Sequence, residues 1–199
     1  MRQFGLIGRN ISYSFSQSYF TEKFKNENIV DCIYNVFDLK EIEEVEKVFN
    51  TENLVGFNVT IPYKQEIIPY LDELSAEAKA IGAVNTVLIK DGKRIGHNTD
   101  CYGFHHSILP LLQQNHTKAL VLGNGGAAKA VFYILNLLNI DFKIVARNPT
   151  ENQLSYEEID ENTLNDYPII INCSPVGTFP SIEKSPLLPY QFISAKHLL

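Results

Sequence analysis

The sequence predicts an α/β protein made of two successive units. Three observations carry that reading. Apolar strand-like segments alternate with helical patterns from the start, and a strand–glycine turn–helix–strand unit stands in the second half. Neither repeats nor low-complexity stretches interrupt the order. With 45% hydrophobic residues among 199, the chain has enough apolar surface to bury one or two cores.

The elements follow in order. Residues 3–7 read as a short buried strand closed by Gly8, and residues 16–26 carry Tyr19, Phe20 and Phe24 at helical spacing. Residues 31–37 are strand-like, and 39–49 form a charged amphipathic helical pattern. A strand at 54–60 breaks at Pro62, and helical patterns follow over 64–71 and 76–81. Strands at 85–89 and 94–97 flank Lys90-Asp91-Gly92-Lys93, a hairpin signal. A long helical stretch begins near Asp100. After it come a strand at 119–122, a glycine turn, a helix at 127–138, a strand at 142–146 and an apolar run at 169–172. Largely parallel sheets are expected. The boundary is expected on a connecting helix, with domains 1–103 and 104–199.

Composition excludes several classes of function. The net charge is −6 and the basic residues are scattered, so nucleic acid is not an expected partner, because phosphate binding needs clustered Lys and Arg. Cys32, Cys101 and Cys173 are odd in number and far apart, which fits neither a disulfide framework nor a metal site. No metal is expected. The N-terminus lacks a signal-peptide core and no apolar run approaches membrane-spanning length, so a cytoplasmic protein without a membrane partner is expected.

The segment Leu122-Gly123-Asn124-Gly125-Gly126-Ala127-Ala128 satisfies G-x-G-x-x-G/A through Gly123, Gly125 and Ala128. It follows an apolar strand, opens a helix and leads to a second strand, the setting a Rossmann-type dinucleotide site requires. The glycines permit a tight turn and let backbone N–H groups approach a pyrophosphate at the helix N-terminus. At the end of the next strand, where an NAD site usually carries an acid, the chain has Ala146-Arg147-Asn148. An acid there would repel a 2′-phosphate, whereas Arg147 offers it a planar charged fork, so NADP is the expected cofactor. A solvated surface arginine is the plainer alternative.

Three clusters in the first half carry further chemistry. Ser14 and Ser16, alternating in an extended segment, point the same way and can both donate to one carboxylate; a helix N-cap at Ser16 serves the pattern equally well. Residues 56–64 end a strand in a proline turn that displays Asn58, Thr60 and Lys64. Gly82-Ala83-Val84-Asn85-Thr86 and Gly96-His97-Asn98-Thr99-Asp100 supply the third cluster. A Lys and an Asp from separate strand-end loops can pair, and hydride reduction of a ketone leaves an alkoxide that an ammonium can protonate. A surface Lys64 and a helix-capping Asp100 remain the alternative from spacing alone.

Taken in order, these motifs resemble the shikimate dehydrogenases: Ser-x-Ser, Asn-Val-Thr-Ile-Pro-Tyr-Lys, Gly-Ala-Val-Asn-Thr, Asn-Thr-Asp-x-x-Gly, Gly-x-Gly-Gly-Ala-x-x-Ala and Ile-Asn-Cys-Ser-Pro-Val-Gly. The set covers nearly the whole chain. The resemblance implies a substrate-binding α/β domain followed by a Rossmann-type NADP domain. It implies NADPH-dependent reduction of 3-dehydroshikimate to shikimate, a step of aromatic amino-acid and chorismate biosynthesis. It also implies that Lys64 and Asp100 are the catalytic pair and that Ser14 and Ser16 hold the carboxylate. Asn58, Thr60, Asn85 and Asp100 would contact the ring hydroxyls. Gly123, Gly125, Gly126 and Ala127 match the pyrophosphate turn, Arg147 and Asn148 the 2′-phosphate site, and Val176 and Gly177 the nicotinamide surroundings.

Departures from the pattern are local. Tyr13 and Gln17 stand where the family usually has His and Pro, and Gly177-Thr178-Phe179-Pro180 replaces the usual Gly-Met. The family continues past Leu199 into another strand, an Asn-Pro segment and a final helix, and residues 197–199 read as the start of a strand cut short. A shortened cofactor domain is therefore expected. Quinate/shikimate dehydrogenase and a non-catalytic binding fragment are the competing readings, and a homodimer is compatible with each.

Overall fold

The computed structural model describes residues 1–199 and divides them into two units, Met1–Thr99 and Asp100–Leu199. The first unit runs β1 (Arg2–Gly8), α1 (Phe15–Asn26), β2 (Cys32–Asp38), α2 (Val45–Phe49) and β3 (Leu54–Val59). It continues with β4 (Glu73–Leu74), α3 (Ala76–Ile81), β5 (Thr86–Lys90) and β6 (Lys93–His97). The six strands form one sheet in the order β2-β1-β3-β5-β6-β4. β1 pairs in parallel with β2 and β3, while β3–β5 and β5–β6 are antiparallel. β4 and β6 pair in parallel, so the sheet is mixed, with three parallel and two antiparallel pairings. The Asp91-Gly92 hairpin joins the antiparallel β5 and β6, and its φ angles of 53° and 75° match a two-residue turn with both central residues left-handed.

Register decides which side chains share a face. Phe4 lies opposite Tyr34, Leu6 opposite Asn58, Asn58 opposite Thr86, and Thr86 opposite His97. Strand alternation therefore sets these residues on one face and Ile7, Phe57, Val59 and Val87 on the other. The apolar residues of the second face pack against Val45, Val48, Tyr63, Ile67, Ala78 and Val84. The first face carries Leu6, Ile11 and Tyr34, covered by Phe20 and Phe24 of α1. Tyr19, at the same helical spacing in sequence, is exposed instead.

Two helical expectations shorten in the structure. At 39–49, the Leu39 N–H is bonded to Gly8 O and the Lys40 N–H to the Glu44 carboxylate, so a 3-10 turn at Ile42–Glu44 precedes the single turn of α2. At 64–71, only a turn and a 3-10 segment at Ile68–Tyr70 form. Pro69 lacks the N–H that an α-helix would direct to the carbonyl of Gln65.

The second unit runs α4 (Asp100–Ile108), β7 (Lys118–Leu122), α5 (Gly126–Leu137), β8 (Asp141–Val145), α6 (Glu161–Asp166) and β9 (Ile169–Asn172). Its sheet is entirely parallel in the order β8-β7-β9. Ala119 and Val121 pack against α4 and α5, while Leu120 and Leu122 pack against Ile159 and Leu164. Both faces of β7 are thereby buried, each large aliphatic side chain contributing roughly 1.5–3 kcal/mol. The chain passes outward from β7 to β8 and then back to β9, which makes the β7/β9 boundary a topological switch point. Leu198 adds a parallel bridge to Ile169 on the outer edge of β9.

Candidate active site

In the first unit, the loop after β1, the turn after β3, the segment before β5 and the segment after β6 all leave the sheet at one end, because β5 and β6 run antiparallel to each other and β5 antiparallel to β3. Ser14, Thr60, Lys64, Asn85 and Thr99 belong to those segments. The extended conformation expected around Ser14 and Ser16 is replaced by a turn and the start of α1. Ser14, not Ser16, is the N-cap, and its Oγ accepts the Ser16 N–H at 3.2 Å. Ser16 stands inside the first turn. Both hydroxyls nevertheless sit at the N-terminus of a 12-residue helix, where the dipole favours a carboxylate.

A continuous hydrogen-bonded row runs across this end of the sheet. The Tyr34 hydroxyl donates to Asn58 Oδ1 at 2.8 Å, and Asn58 Nδ2 donates to Thr86 Oγ1 at 3.3 Å. Thr86 Oγ1 donates to Asn85 Oδ1 at 3.1 Å, and Asn85 Nδ2 donates to Thr99 Oγ1 at 2.9 Å. Asn85 Oδ1 also accepts the Thr99 N–H at 2.8 Å. Burial pushes the Tyr34 phenol up to about 12, against a smaller lowering effect of the Ser16 hydroxyl beside it. Tyr34 is therefore a hydrogen donor throughout the neutral range. Asn85, read from the sequence as a ring contact, is 8% exposed and also joins the loop before β5 to the residue preceding Asp100.

The turn bearing Lys64 is fixed by its neighbour. Tyr63 is fully buried, donates to Leu39 O at 2.8 Å and accepts from Arg9 Nε at 3.1 Å. Val84 N–H donates to Lys64 O at 2.7 Å, and Thr60 N–H to Ile7 O at 2.9 Å. Lys64 thus projects from a backbone pinned on both sides. Asp100 opens the second unit as the first residue of α4. Tyr34, Tyr63, Thr86 and Thr99 were not singled out from sequence as site residues. The available signal was Asn58 itself: a lone amide in an apolar strand needs partners for both ends.

In the second unit, Leu122, Val145 and Asn172 are level in the sheet, so the loops after β7, β8 and β9 emerge together. They carry Gly123 to Ala127, Arg147 with Asn148, and Val176 with Gly177. Gly123 has φ +111°, and a Cβ there would stand 3.1 Å from Cys173 O. A Cβ on Gly125 would meet nothing within 4 Å. Gly125 is the N-cap of α5 and supplies no side chain to the first-turn N–H groups. An open space in front of uncapped helix N–H groups fits a pyrophosphate. Ala128 is fully buried, which lets α5 approach the sheet. Arg147 and Asn148 are exposed at the end of β8. Asn172 ties down the third loop, with Oδ1 accepting Ser174 N–H at 3.0 Å and Nδ2 donating to Val176 O at 3.0 Å.

Residues 6–87 match the model of the shikimate dehydrogenase substrate binding domain. Over 194 residues the chain is 41% identical to a shikimate dehydrogenase (NADP(+)) of Clostridium botulinum, covering 92% of this chain and 75% of that protein. A shikimate dehydrogenase (NADP(+)) of Methanosphaera stadtmanae is 38% identical over 213 residues, covering 97% and 75%. The crystal structure of shikimate 5-dehydrogenase from Thermus thermophilus in complex with NADP(H) and shikimate matches with a TM-score of 0.80 at 26% identity, over 97% of this chain and 75% of that one. The chain spans about three quarters of the length of each of these relatives.

Proposed function

The chain belongs to the shikimate dehydrogenase family, and from that premise we propose how its residues serve the NADP-dependent interconversion of 3-dehydroshikimate and shikimate. One observation carries the reading: a row of amides and hydroxyls, from Tyr34 through Asn58, Thr86 and Asn85 to Thr99, crosses one end of the sheet. The row keeps further donor and acceptor positions beside a helix N-terminus, which suits a polar, anionic ligand. A ring with several hydroxyls and one carboxylate is such a ligand.

In this reading, residues 1–103 hold the acid and residues 104–199 hold the dinucleotide. Ser14 and Ser16 take the carboxylate at the start of α1, and Asn58, Thr60, Asn85 and Asp100 contact the ring hydroxyls. Bound NADPH supplies a hydride. Lys64 gives a proton to the carbonyl oxygen as negative charge develops there, and Asp100 orients the ammonium and balances its charge. In the reverse direction Lys64 takes the proton back. Gly123, Gly125, Gly126 and Ala127 receive the pyrophosphate, Arg147 and Asn148 the 2′-phosphate, and Val176 and Gly177 flank the nicotinamide. Cys32, Cys101 and Cys173 are thiols rather than disulfide partners, which suits a reducing cytoplasm.

Steady-state oxidation of shikimate with NADP, run beside quinate and NAD, tests the proposal. Preference for shikimate and NADP is expected. Binding of neither shikimate nor NADP by the folded chain would overturn it, and equal use of quinate and NAD would favour the relaxed alternative.

A further inference from the structure

Tyr34 lies on β2, outside every motif that points to the reaction, yet its hydroxyl stands at the head of the polar row. Its ring is 4% exposed and stacks on Phe20 with centroids 4.5 Å apart and planes 13° from parallel. The ring is thereby held, and the hydroxyl stays 2.8 Å from Asn58 Oδ1. Thr86 acts on the amide from the other side. Its own hydrogen is directed to Asn85 Oδ1, so its oxygen accepts the Asn58 N–H. An amide has one accepting end and one donating end, and the two neighbours specify opposite ends. Rotation of the amide by half a turn would set Asn58 Oδ1 against the Thr86 oxygen, whose hydrogen is committed to Asn85, and would lose the bond that Tyr34 donates to Oδ1.

We infer that Tyr34 is a positioning residue for substrate, whose hydroxyl fixes the Asn58 amide so that the second N–H of Nδ2 faces a ring hydroxyl. The same phenol lies beside the Ser16 hydroxyl, so one buried group links the carboxylate end of the site to the ring end. This inference rests on the proposed roles of Asn58 and Ser16. Packing alone does not account for the arrangement, since phenylalanine would stack on Phe20 equally well.

Tyr34→Phe keeps the ring and removes the hydroxyl. Loss of one neutral hydrogen bond should raise the Kd and KM for shikimate roughly three- to tenfold. The kcat should stay within about twofold and the KM for NADP should not move. In NMR spectra of the variant, the contact between the Asn58 side-chain amide and Thr86 should weaken or vanish. In an Asn58→Ala background, Tyr34→Phe should add no further loss of shikimate affinity. Wild-type affinity with an intact Asn58–Thr86 contact, or losses that simply add, would overturn the inference. Failure of the wild-type chain to bind shikimate would instead sink the proposed function, while the Asn58 amide signal would still judge Tyr34.

Discussion

In the proposed function the two units recognise ligands by opposite means. The first places side chains: hydroxyls and amides are brought to one end of a mixed sheet and linked by hydrogen bonds. The second removes them: Gly125 leaves open space before uncapped helix N–H groups, and Gly123 adopts a φ of +111° that other residues rarely tolerate. A site made of side chains is tuned residue by residue, and each member depends on its neighbours for orientation. A site made of backbone depends on what is absent, so almost any addition interferes with it.

The largest expected effect lies in the first unit. Lys64→Ala should lower turnover by ~10²–10⁴-fold with a much smaller change in the Michaelis constant for shikimate, as measured by steady-state kinetics. Unchanged turnover with a raised Michaelis constant would make Lys64 a binding residue and leave the proton donor unassigned.

The second unit should respond to addition. Gly125→Ser introduces a good N-cap, so helix stability should hold or rise slightly. Its hydroxyl competes with phosphate for the same N–H groups, and NADP affinity should fall roughly tenfold to a hundredfold. Gly123→Ala should act on the fold instead, costing roughly 1–3 kcal/mol in denaturant unfolding, because it forces a Cβ into the left-handed region beside Cys173 O. Equal losses of stability from both changes would erase the distinction between ligand space and backbone strain. Arg147→Ala should weaken NADPH binding roughly tenfold to a hundredfold while sparing NADH. Parallel losses for the two cofactors in fluorescence titrations would remove Arg147 from the 2′-phosphate site.

The smallest effect separates two serines. Ser14→Ala removes the cap of α1 and should cost about 0.5–2 kcal/mol of stability in addition to substrate affinity. Ser16→Ala should weaken shikimate binding with little change in thermal unfolding. A larger stability loss at Ser16 would return the capping role to the position expected from sequence.

Much of the second unit was legible beforehand. Strand β7, the glycine turn, α5 and β8 are local in sequence, and each glycine has a role that spacing alone can state. Helix α6 escaped notice because it buries only Leu164 and shows no apolar period. The first unit was legible as a set of residues but not as an arrangement. Its helices at 39–49 and 64–71 were overstated because the Leu39 N–H donates to Gly8 O and Pro69 has no N–H to give.

The sequence by itself determined the α/β class and the glycine turn, which follow from residue type and short-range spacing, while the family and the candidate side chains came from the resemblance carried by its ordered motifs. Only the tertiary structure decided that Ser14 is the cap, that Tyr63 pins the lysine turn, and that Tyr34 reaches Asn58 across β1. The physical reason is range. Turn chemistry and periodicity act over a few residues. The Tyr34–Asn58 bond joins positions 24 apart, and exists only because β2, β1 and β3 pair in one particular register.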